Sequence, residues 1–85
     1  DVEQLSAIAV DCGLQVHRDL GPGMLESAYE AVLARLLEDR GLSVERQKVI
    51  PIRYQGLFLE QGFRADLIVE GSLLIELKAV EQLSR

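Results

Sequence analysis

Two short stretches of the sequence carry ionisable residues where apolar, strand-like patterns would otherwise continue. Glu76-Leu77-Lys78 follows the run Leu73-Leu74-Ile75, and Asp66 interrupts Arg64-Ala65-Asp66-Leu67-Ile68-Val69. In an extended chain alternate side chains share a face, so Glu76 and Lys78 point one way and Leu77 the other. Charges in segments this apolar are costly unless paired, hydrated or bound to a metal. An acid on one strand, with an acid and a lysine on the next, is what a metal-dependent phosphodiesterase requires. Phosphodiester hydrolysis needs a nucleophilic water, stabilisation of charge on the phosphate and a protonated leaving oxygen. A divalent ion held by carboxylates lowers the pKa of its water and neutralises phosphate charge. Asp66 and Glu76 are the expected metal ligands, with the carbonyl of Leu77 as a third. Lys78 would orient the water and offset negative charge. Mg2+ (or Mn2+) suits such oxygen ligands, since it keeps several waters and binds through one or two carboxylates plus phosphate.

The elements that must position these groups are legible in the apolar spacing. Val2, Leu5, Ile8, Ala9, Cys12 and Val16 recur every three or four residues, which predicts an amphipathic helix from Val2 to Asp19. Gly13 lies inside it and suggests a bend or a close packing contact. Gly21-Pro22-Gly23 then breaks the chain. A second helix is predicted from about Met24 to Arg40, with Leu25, Ala28, Tyr29, Val32, Leu33, Leu36 and Leu37 as its apolar face and Gly41 as its terminator. From Val44 the pattern turns to strands. Val49–Tyr54 is extended, and Pro51 restricts it to an edge of the sheet or to a position whose donor side is free. Gln55-Gly56 forms a tight hairpin turn, and Leu57–Val69 returns with Gly62 as a bulge or kink. Leu73–Lys78 makes a third strand, and Ala79–Arg85 begins another helix. The fold class is therefore α+β: two N-terminal helices, a three-stranded antiparallel meander and the start of a further helix.

The second turn decides whether the acids can meet. A two-residue loop, Glu70-Gly71, would pair Asp66 with Ile75 and face it away from Glu76. A three-residue loop, Glu70-Gly71-Ser72, would put Asp66 directly across from Glu76, with Lys78 on the same face. The metal-site reading requires the odd loop or an equivalent bulge, and a central glycine permits either.

Glu26 is a third available acid. It lies three residues before Tyr29 and borders the apolar face of the second helix, within reach of a second metal or a metal-bound water. Otherwise it is a first-turn acid favoured by the helix dipole. Tyr29 reads as a core residue or a packing partner for Glu26 ahead of a catalytic group. His17 reads as a helix-end residue bonding backbone ahead of a ligand. Arg46, Lys48 and Arg64 form either a phosphate-facing strip or solvated strand edges.

Gly23-Met24-Leu25-Glu26-Ser27-Ala28-Tyr29 resembles the Gly-x-x-Glu-x-x-Tyr pattern of the GxxExxY family, within the PD-(D/E)xK nuclease superfamily. The lead-in Val16–Pro22, the segment Arg64–Val69 and the segment Ile75–Val80 resemble further stretches of that family in the same order. The resemblance implies a restriction-endonuclease-like core and a metal-dependent nuclease acting on DNA ahead of RNA. It implies site roles for Asp66, Glu76 and Lys78, and a helical acid at Glu26. Gln47 resembles a family position of unassigned role. Members continue beyond the Glu-x-Lys strand through a full helix to a further strand. A single domain over residues 1–85 is thus expected to be a truncated core, open to inactivity as a fragment and to self-association through uncovered apolar sheet surface. The alternative function is a non-catalytic interaction module on a nuclease-like fold.

Eighty-five residues suit one small domain. A net charge of −5 argues against coating DNA by bulk attraction, although acidic metal ligands contribute to that sum. No apolar stretch is long enough to span a membrane. The single cysteine, Cys12, occupies an apolar helical position and reads as a core residue; the lack of a disulfide framework agrees with a cytoplasmic location.

Overall fold

A computed structural model describes residues 1–77. Two helices precede a three-stranded antiparallel sheet: α1 (Val2–Leu20), α2 (Glu26–Asp39), β1 (Val44–Tyr54), β2 (Leu57–Val69) and β3 (Leu73–Ile75), with strand order β1-β2-β3. The α+β class expected from the sequence is the one observed. The expected helix over residues 79–85 lies outside the described residues.

Local chemistry sets the helix ends. The Asp1 side chain caps α1 by accepting the Gln4 N–H at 2.9 Å. Gly21, at φ 71, closes it by donating its N–H to the His17 carbonyl at 2.9 Å. At the end of α2, Gly41 (φ 82) donates to Glu38 at 2.8 Å and Leu42 donates to Leu37 at 3.2 Å. These paired bonds satisfy carbonyls that the helix itself leaves open.

The core lies between the helices and one sheet face. Cys12 and Val16 from α1, Leu33, Ala34 and Leu37 from α2, and Leu67 and Val69 from β2 form its buried cluster, with Leu73, Ile75 and Leu77 packed against it. On α2 the buried positions are Glu30, Leu33, Ala34 and Leu37, one face at helical spacing. This differs from the expected face, because Leu25 is exposed and a carboxylate shares the buried stripe. Arg40, at the end of α2, bonds Asp11 on α1. The Tyr29 hydroxyl donates to the Gly13 carbonyl at 3.1 Å. Gly13 is therefore a helix–helix contact point, with Tyr29 bonded to α1.

The first hairpin turns on Gln55 (φ 47) and Gly56 (φ 82) between the pair Tyr54↔Leu57. Two successive positive φ values match the twist of the flanking strands. The β1–β2 register shifts between Ile50 and Ile52, beside Pro51 and Gly62. A Cβ on Gly62 would sit 2.5 Å from Ile52 Cγ1, so glycine is what lets the two strands approach there.

Candidate active site around Asp66

Ala65, Leu67 and Val69 are buried against the helices, so Asp66 projects from the sheet face away from them. The turn after β2 is the three-residue loop, with Val69 paired to Leu73, Ile68 to Leu74 and Leu67 to Ile75. Glu70 (φ 54) and Gly71 (φ 64) supply its left-handed backbone, and Ser72 N–H closes it on the Val69 carbonyl at 3.0 Å. Glu70 also anchors the loop to Ser43, whose N–H donates to Oε2 at 2.6 Å. Continued one step further, this register would set Asp66 opposite Glu76.

The ladder itself stops before that step. β3 ends at Ile75, three residues short of the expected Lys78. The physical cause is visible at Leu77: its N–H donates to Asp66 Oδ2 at 2.7 Å, in place of a β2 backbone carbonyl. The β1 side of Asp66 is irregular as well. Arg46 pairs with Leu67 and Lys48 with Ala65, while Gln47, the residue between them, is left out of the ladder at φ 52. A left-handed backbone at a non-glycine residue costs on the order of 1 kcal/mol or more and persists only where surrounding contacts hold it. Asp66 thus lies on the central strand at a level where regular pairing lapses on both sides.

Those holding contacts come from Glu30. Its carboxylate is 5 % exposed and accepts Arg46 Nε on Oε2 at 3.0 Å and Gln47 Nε2 on Oε1 at 2.6 Å. Strict alternation would send adjacent residues to opposite faces. The turn of the backbone at Gln47 brings Arg46 and Gln47 to the same carboxylate. Sequence reasoning passed over Glu30 because only apolar residues were taken to mark the buried face. Its spacing of three, four and seven from Leu33, Ala34 and Leu37 was the available signal.

The other candidates are placed as follows. Glu26 is exposed in the first turn of α2, where an acid suits the helix dipole. Among the described residues no cluster of three or more His, Cys, Asp or Glu side chains is arranged to hold a metal ion. His17 is exposed in the last turn of α1, and its backbone carbonyl serves the Gly21 cap. Glu76 is exposed and Asp66 half-buried. Lys78 lies outside the described residues. Of the basic strip, Arg46 pairs with Glu30 and Lys48 with Glu45 at 3.0 Å. Arg64 is exposed, two residues from Asp66 on the same strand face, and has no ion-pair partner among the described residues. An apolar groove of about 380 Å³ runs between α1 and β3, lined by Ala9, Val10, Tyr29, Leu33 and Ile75 among others. Glu76 and Leu77 also line it, and Asp66 does not.

A family model of the PD-(D/E)XK nuclease superfamily matches residues 3–85. The chain belongs to that superfamily. The two helices followed by an antiparallel three-stranded sheet are consistent with the PD-(D/E)XK nuclease fold. No curated protein and no solved structure matches the chain. Among the described residues no helix is long and apolar enough to cross a membrane.

Proposed function

We propose that the chain is a metal-dependent phosphodiesterase of the GxxExxY kind, acting on nucleic acid, with DNA the first substrate to test. The observation that supports this reading is the three-residue loop, whose register, continued one step past Leu67↔Ile75, would bring Asp66 opposite Glu76. Two carboxylates at a break in the ladder fit a hard divalent cation such as Mg2+, which takes one or two protein carboxylates and fills its remaining positions with water and phosphate. Bound there, such an ion would activate water and offset phosphate charge.

In this reading Asp66 and Glu76 hold the cation. The Leu77 N–H fixes one oxygen of Asp66 and leaves the other for binding. Arg64, on the Asp66 face, receives a phosphate oxygen, and Lys78 supplies the ammonium that orients water.

Calorimetric titration of Mg2+ into the wild type and Asp66→Ala tests the site. Binding by the wild type and none by the variant is expected; equal binding removes Asp66 from the ligand set. Plasmid cleavage that persists after Glu76→Ala and Lys78→Ala together would assign the activity to something else.

A further inference from the structure

Glu30 stands outside the metal site just described, yet it controls the residue opposite Asp66. In the β1–β2 register Gln47 is the position across from Asp66, since Arg46 pairs with Leu67 and Lys48 with Ala65. An extended Gln47 would therefore lay its side chain beside Asp66 on the outer face. Instead its backbone is left-handed at φ 52, and its amide donates to Glu30 Oε1 at 2.6 Å on the helix side. The second Glu30 oxygen is taken by Arg46 at 3.0 Å. Both oxygens are thus engaged by β1, and the group is only 5 % exposed.

We propose that Glu30 is a positioning residue: by holding Gln47 turned toward the helices, it keeps the β1 side of Asp66 clear for a hydrated cation and its phosphate ligand. The inference rests on the metal-site reading for its function. Its structural half, the hold on Gln47, can be judged separately.

The test combines Mg2+ calorimetry with nuclear Overhauser measurements on the wild type, Glu30→Gln, Gln47→Val and the double variant Glu30→Gln/Gln47→Gly. Glu30→Gln keeps the shape of the side chain but has one acceptor oxygen in place of two; the Arg46 guanidinium takes it, and the new amide NH2 then faces the Gln47 donor. Valine avoids positive φ and becomes extended, so Gln47→Val moves the backbone while leaving the Glu30–Arg46 pair in place. Glycine adopts the left-handed backbone unaided and has no side chain to intrude. Glu30→Gln and Gln47→Val are each expected to weaken Mg2+ binding by about tenfold or more. The double variant is expected to recover most of that loss. A Glu30 that touched the ion directly would give no such recovery, so a double variant as weak as Glu30→Gln overturns the proposal, as does Gln47→Val with wild-type affinity. A contact between the side chains of residues 47 and 66 is expected to be absent in the wild type and present in Glu30→Gln and Gln47→Val. If the wild type binds no Mg2+, the metal-site reading fails. The spectra still decide whether Glu30 holds Gln47: failure of the contact to appear in Glu30→Gln refutes the hold.

Discussion

Asp66 on β2 and Leu77, just past the end of β3, are joined by a side-chain-to-backbone hydrogen bond of 2.7 Å, where the β2–β3 ladder ends. The carboxylate thus has a structural duty as well as the proposed ligand role, and substitutions can separate the two. Asp66→Asn retains an acceptor for the Leu77 N–H and loses the charge. It is expected to keep stability within about 1 kcal/mol of wild type and to lose Mg2+ binding. Asp66→Ala forfeits both, with an added loss of about 1–3 kcal/mol, the usual range for a hydrogen bond to a charged group. Urea unfolding and calorimetry on the same samples read the two effects. An asparagine variant that binds Mg2+ as tightly as wild type would leave only the structural duty.

Tyr29 is predicted to act through stability. Tyr29→Phe removes the hydroxyl that bonds the Gly13 carbonyl and should cost about 1 kcal/mol in denaturant unfolding. An unchanged midpoint would contradict the role of this bond in joining α1 to α2.

Gly62 is required by contact distance. Gly62→Ala would place a methyl carbon 2.5 Å from Ile52 Cγ1 and 2.7 Å from its Cβ. Overpacking of this kind costs about 1–3 kcal/mol. Adding Ile52→Ala should recover part of the loss, and a double-mutant cycle by urea unfolding measures the coupling. Strictly additive effects would show that the two residues do not compete for this space.

Cys12 predicts a specific alkaline dependence. Burial raises its thiol pKa, and the charge of nearby Arg40 only partly opposes this. In the unfolded chain the thiol ionises first as pH rises, so its contribution to stability is complete at neutral pH and declines above about pH 8.5. Cys12→Ala should flatten that part of the stability–pH curve. The native thiol should also react slowly with a thiol reagent at pH 7, because it is fully buried.

Most of the architecture was legible because it rests on local rules. The end of α2 at Gly41, the Gln55-Gly56 turn and the turns that bound β2 follow from backbone angles that few residues tolerate, and the irregularity at Gly62 from the missing side chain that lets Ile52 approach. The facing of Asp66 was not legible. Gly71 accommodates loops of either length, and the outcome depends on Glu70 anchoring Ser43, a contact between residues distant in sequence. β3 was read too long because the pattern shows Leu77 as strand-like but not that a side chain on β2 takes its N–H. Glu30 was missed because a charge on a buried helical face is stable only with partners, and those partners, Arg46 and Gln47, come together only once the sheet has formed.

The register shift beside Pro51 also governs how the molecule meets copies of itself. β1 forms one border of the sheet, and an uninterrupted border would present a continuous row of backbone donors and acceptors to other chains. Proline deletes one donor and the shift bends the row, which splits it into two short lengths. A hairpin that leaves Ile52, Tyr54, Phe58 and Phe63 in contact with water is thereby a poor template for stacking into fibrils. Replacing Pro51 with an extended β-former would remove that protection and favour amyloid-like growth over the native fold.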